Sequence, residues 1–156
     1  MIFGFRPAHV QPTPSYPSAV IYRPKIPIWV GSRGGRRRPF LGLLDTGSDD
    51  TKLPRSVAES LGIDLDRAHP ILFRGVGGHA VGHYGEVTLE LRQSPKSYVW
   101  AAHVAFLPDP EETADEDRVT ITLGHTGFFR FFHVGFDYQR GRVRIRPNGL
   151  FSGLPQ

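Results

Sequence analysis

Cysteine is absent from the chain of 156 residues, and methionine occurs once. Disulfides, cysteine-based zinc sites and a thiol nucleophile are therefore excluded. No run approaches the ~18 consecutive apolar residues of a membrane-spanning helix, so no membrane partner is expected. The opening MIFGFRPAHVQPTPSYP lacks a basic start followed by an apolar stretch, so it does not read as a secretory leader. The expected location is cytoplasmic.

What is present is the composition of a globular domain, 39% hydrophobic and 22% charged. The length suits one domain with a real core. Gly 18 and Pro 14 are high, and the apolar residues fall in short runs of Val, Ile, Phe and Leu. This favours an all-β fold with many turns and one or two short helices. Residues 1–18 read as a proline-rich arm, 19–147 as the domain and 148–156 as a tail. There are no internal repeats.

The net charge of +4 is unevenly spread. Arg33, Arg36, Arg37 and Arg38 cluster in SRGGRRRP, and the acids cluster in DPEETADED at 109–117. The basic run lies between two strand-like runs and has no interleaved aromatics. It reads as a solvated hairpin loop rather than a nucleic-acid surface, and no nucleic-acid partner is expected. The acidic run reads as an exposed loop. His79 and His83 are four apart in a strand arm broken by Gly82, where that spacing does not bring side chains to one point as on a helix. No metal site and no cofactor are expected.

Along the chain, Ile26, Ile28 and Val30 alternate with Pro27 and Trp29, which suits an edge or first strand. PRSVAESLG has helical spacing, with Pro54 in the first turn and Gly62 as the stop. ILFRGVGGHAVGHYGEVTLEL reads as a hairpin with a Gly-rich tip. YVWAAHVAFLP and RVTITLG are strands, and HTGFFRFF is a short helix whose phenylalanines are core candidates. HVGFDYQRGRVRIRP is a closing hairpin that turns near Arg140-Gly141.

Chemistry concentrates in FLGLLDTGSDD at 40–50. An apolar strand ends in a tight turn that holds Asp45 at the rim of a core, where a carboxylate is costly to keep charged. Asp45 is then either a turn or helix cap or a reactive acid. Glycine in the turn lets backbone N–H groups approach the carboxylate, and the Thr46 hydroxyl can lock the loop.

LLDTGSDDTKLP resembles the active-site segment of retropepsin-like aspartic proteases. RGVGG at 74–78 resembles the Gly-rich flap tip of that family, and TLGHTGFFRFFHVGFD at 122–137 its Leu-Gly and terminal-helix segment. The three stand in family order. The resemblance implies a retropepsin-like acid-protease β-barrel that works as a homodimer. It implies an endopeptidase in which two Asp45 carboxylates, one from each subunit, activate a water against a peptide bond. One Asp-Thr-Gly in a chain too short for two lobes requires the second copy.

By the same resemblance Asp45, Thr46 and Gly47 are catalytic, with the Thr46 hydroxyl bonding across the dimer axis. Ser48, Asp49, Asp50, Gly75, Val76, Gly77 and Gly78 line a peptide or protein substrate. His125 stands where the family carries arginine, and it is expected to pair with Asp49. Thr122 replaces the usual aliphatic residue before Leu-Gly. The acidic run and the proline-rich arm have no counterpart in the minimal retroviral enzymes. The alternative reading is a catalytically silent dimeric peptide-binding module on the same fold.

Overall fold

A computed structural model of the chain describes residues 1–66, 68–75, 78–109 and 120–155. In chain order these form β1 (Ile2–Gly4), β2 (Arg6–His9), β3 (Val20–Arg23), β4 (Lys25–Gly31), β5 (Arg38–Leu44) and β6 (Lys52–Pro54). Helix α1 (Arg55–Ser60) follows, then β7 (Pro70–Gly75), β8 (Gly78–Gln93), β9 (Lys96–Leu107) and β10 (Thr120–Leu123). A helical turn at His125–Phe129 leads into β11 (Phe132–Asp137), β12 (Arg142–Pro147) and β13 (Leu154–Pro155).

Apolar alternation in the sequence becomes the inside and outside of a barrel. Ile26, Ile28 and Val30 of β4 are buried, as are Val87, Leu89 and Leu91 of β8. So are Trp100, Ala102, Val104 and Phe106 of β9, again every second residue. Strands β9, β6, β10, β5, β4 and β8 pair in that order, and β8 returns to β9, closing the sheet. Closure removes the free edges of these strands. β10 runs parallel to β5 with Leu123 opposite Leu44, so both strands deliver their C-terminal ends to one rim.

Of the two readings, edge or first strand, β4 is the first strand of the barrel and not an edge: it pairs with both β5 and β8. β8 meets only Trp29–Gly31 of β4, and Pro27 lies short of that register, where its missing N–H costs no ladder bond. The helix read in PRSVAESLG is α1. It stops as expected, with Gly62 at φ 66 and the N–H groups of Gly62 and Ile63 donating to the Glu59 and Ala58 carbonyls.

The segments read as arm and tail both contain paired strands. β1 pairs with β12 and carries the buried Phe3, while β2 pairs with β3. β13 pairs with β9, and Phe151 sits 5.3 Å from Phe132 between ring centroids. Trp100 packs edge-on against Phe128 and Phe132, and its indole N–H donates to the Gly127 carbonyl at 3.0 Å. That bond fixes the helical turn against β9. No helix among the described residues is long and apolar enough to cross a membrane.

One buried charge braces the barrel wall. Glu90 of β8 accepts from Arg92 at 2.6 and 2.8 Å and from the Ser97 hydroxyl at 2.7 Å. Arg37 of the basic loop adds a contact at 2.8 Å, so this loop is tethered through one of its arginines. The Arg92 hydrogen bonds hold the Glu90 carboxyl below its ordinary range against the opposing effect of burial, with Ser97 and Arg37 assisting. A lowered folded value contributes stability above the unfolded pKa of about 4.3, which is lost as pH falls through the lowered one. The two arginines are partly exposed and turn to water when unpaired. The cost of Glu90→Ala should therefore stay near about 1–2 kcal/mol, below that of breaking a fully buried pair. Urea titrations at pH 7 and pH 3 check this: the gap between wild type and variant should narrow at the lower pH.

Candidate active site

The turn after β5 is built by its own backbone. The Asp45 N–H donates to the Leu123 carbonyl at 3.1 Å, which ties the turn to the end of β10. The Ser48 N–H returns to the Asp45 carbonyl at 3.2 Å. The Gly47 N–H donates to Asp45 Oδ1 at 2.9 Å, so the carboxylate is aimed by its own loop. Asp45 is half-buried, while Thr46, Gly47 and Asp49 are exposed. The Thr46 hydroxyl has no hydrogen-bond partner among the described residues.

Residues 48–51 are stitched to the segment after β10. The N–H groups of His125 and Thr126 donate to the Ser48 and Asp49 carbonyls, each at 2.9 Å. The Gly124 N–H donates to the buried Thr51 hydroxyl at 3.1 Å. Ser48 was expected to line substrate, but it is 4% exposed and its hydroxyl donates to the Asp50 carbonyl at 2.8 Å. It shapes the loop from within. The Thr126 hydroxyl lies 3.0 Å from Asp50 Oδ1 and 3.1 Å from the Asp49 carbonyl. The Tyr84 hydroxyl donates to Asp50 Oδ2 at 2.9 Å. Burial, then the Asp50 hydrogen bond and the charges of Asp50 and Asp49, push the Tyr84 phenol up to about 12.

His125 does not pair with Asp49. Its Nε2 lies 2.9 Å from the Thr46 carbonyl. A carbonyl only accepts, so Nε2 carries the proton and the ring donates. The bond needs only a proton on Nε2, not an anionic partner.

The β7–β8 hairpin rises beside this loop, with Gly75 opposite Gly78. Val76 and Gly77, expected at its tip, lie outside the described residues, as does the acidic run from 110 onward. Among the described residues no group of three or more His, Cys, Asp or Glu side chains is placed to hold a metal ion. Three participants were missed in the sequence: Thr51, Tyr84 and Thr126. Thr126 adjoins the Leu-Gly motif and was within reach of inspection. Nothing in local spacing marks Tyr84 or Thr51.

A family model described as aspartyl protease matches residues 26–125, from β4 through the Asp45 turn to the start of the helical turn. No curated protein matches the chain. Several solved structures are similar, two of them as follows. One is the EIAV protease complexed with the inhibitor HBY-793, with 21% identity, 66% of this chain and 82% of that chain covered, and a TM-score of 0.41. The other is a retropepsin-like aspartic protease from Rickettsia conorii, with 17% identity, 92% and 99% covered, and a TM-score of 0.46. With one Asp-Thr-Gly turn on one closed barrel and a family match across most of its length, the chain belongs to the aspartyl protease family.

Proposed function

We propose that the protein is an aspartic endopeptidase acting as a homodimer, with one Asp45 from each subunit at a shared site. The observation that carries this reading is the single Asp45 turn, held at the barrel rim with its carboxylate aimed by the Gly47 N–H. Two such carboxylates brought close cannot both ionise easily, so the pair holds one proton over a range of acidic pH. The ionised Asp45 takes a proton from water, and the water oxygen attacks the peptide carbonyl carbon. The protonated Asp45 donates to the carbonyl oxygen. Collapse of the tetrahedral species then sends a proton to the leaving nitrogen.

The remaining roles are those that the resemblance implies. The exposed Thr46 hydroxyl is free to bond across the two-fold axis. The Gly47 carbonyl faces substrate, with Asp49 and Asp50 further out. By the resemblance, Gly75, Val76, Gly77 and Gly78 are assigned to binding an extended peptide, which pairs in strand fashion with alternate side chains in pockets. Substrate is a peptide or protein, and no cofactor takes part.

The shared site makes activity depend on assembly. Cleavage of a diverse peptide pool should be blocked by a pepstatin-type inhibitor. Specific activity should fall on dilution through the dimer dissociation constant, while sedimentation reports a two-chain species giving way to one. Constant specific activity from a strictly monomeric sample would remove the shared site. A dimer that binds peptides without cleaving them would favour the silent module.

A further inference from the structure

We infer that Tyr84 is a positioning residue: its hydroxyl, through Asp50, ties the base of the β7–β8 hairpin to the loop that carries Asp45. The inference rests on the protease reading for its kinetic consequence but not for its mechanical one. β8 is a long strand that changes partners. Between Gly78 and His83 it pairs with β7, and from His83 onward it pairs with β9. His83 stands opposite both Pro70 and Phe106, so Tyr84 is the first residue below the point where the hairpin leaves the barrel.

At that point Tyr84 is held from two sides. Its ring meets Phe73 of β7 edge-on, 5.7 Å between centroids. Its hydroxyl donates to Asp50 Oδ2, while Thr126 occupies Oδ1. Among the described residues this is the hydrogen bond that joins β8 to residues 45–50. Asp50 is five residues from Asp45, and its neighbour Asp49 is bonded through its carbonyl to Thr126. A movement of the hairpin base is therefore felt in the segment that holds the catalytic turn. The other bonds of that segment are internal to it or run to residues 123–126, not to the hairpin.

Without the hydroxyl the hairpin base keeps its strand pairing and the Phe73 contact but loses its bond to residues 45–50. The turn keeps its own bonds, so the loss should fall on holding extended substrate more than on the chemical step. Tyr84→Phe retains the ring, the Phe73 contact and the strand. It should raise KM for extended peptides by about tenfold with kcat little changed, the scale of one hydrogen bond to a charged group. In a double-mutant cycle, Tyr84→Phe should add almost nothing in the Asp50→Ala background, where its partner is already gone, while Asp50→Ala on its own also loses the Thr126 bond. The readout independent of activity is amide hydrogen exchange on the intact protein. In Tyr84→Phe, exchange should quicken both at 79–83 and at 46–50. If wild type cleaves nothing, exchange still decides the tie. Unchanged exchange at 46–50, or additive effects in the cycle, would overturn it.

Discussion

Asp45→Asn should leave the protein folded and reduce peptide cleavage by about a thousandfold or more, the scale of losing a general acid–base group. The fold is spared for local reasons. Asparagine has the size of aspartate, and its amide oxygen still accepts the Gly47 N–H that now reaches Oδ1 at 2.9 Å. Asp45 is half-buried and has no cationic partner among the described residues, so removing its charge strands nothing. Activity is lost because an amide neither takes the proton of water nor holds the proton that the pair must share. Circular dichroism and a thermal melt within about 2 °C of wild type establish the fold, since ~1 kcal/mol moves a domain of this size by 2–4 °C. Mixing then tests the shared site. Excess Asp45→Asn chain added to a fixed amount of wild type should draw it into inactive mixed dimers. Turnover retained by the variant, free of contaminating protease, would remove Asp45 from the chemistry. Inhibition absent on mixing would remove the second subunit.

The barrel was legible because its strands carry their burial in alternating residues. Ile26, Ile28 and Val30 announce an inward face whatever lies beside them. What pattern does not carry is neighbour identity. Pro27 left an edge strand open, and β4 is interior because β8 meets it only past the proline. Parallel pairing of β10 with β5 joins segments far apart in sequence, and no local rule anticipates it. The site divides the same way. Asp45, Thr46 and Gly47 lie in one turn and are read together. Tyr84 and Thr51 enter through contacts across the fold, as Tyr84–Asp50 and Gly124–Thr51 illustrate.

His125 shows why a residue's partner is harder to read than its place. A histidine near Asp49 suggests an ion pair, because charge is visible in sequence and carbonyl oxygens are not. Every residue supplies a carbonyl, and the one at Thr46 is where the ring points. A neutral donor there costs no desolvation of an ion, which favours it over a partly exposed pair worth little in water.

The second large effect is expected at Gly124, whose place is set by close approach and not by its dihedral angles. Its φ is −104°, open to any residue. A Cβ added there would stand 2.2 Å from the Asp50 carbonyl oxygen and 2.6 Å from that of Ser48. Both are backbone atoms, so no rotamer change makes room. The Asp50 carbonyl accepts the Ser48 hydroxyl, and the Ser48 carbonyl accepts the His125 N–H, so moving either breaks a bond that shapes the loop. Shifting the loop also strains the Gly124 bond to Thr51. Overpacking plus one or two lost hydrogen bonds puts Gly124→Ala at roughly 3–5 kcal/mol. That should lower the melting temperature by about 10 °C. Cleavage should fall with it, because the displaced segment leads directly into the Asp45 turn. Gly135→Ala is the control: a Cβ there meets nothing within 4 Å, and the change should stay within about 0.5 kcal/mol of wild type. If Gly124→Ala melts with Gly135→Ala, the loop is not held at that distance, and its hydrogen bonds to the segment after β10 do not set the position of Asp45.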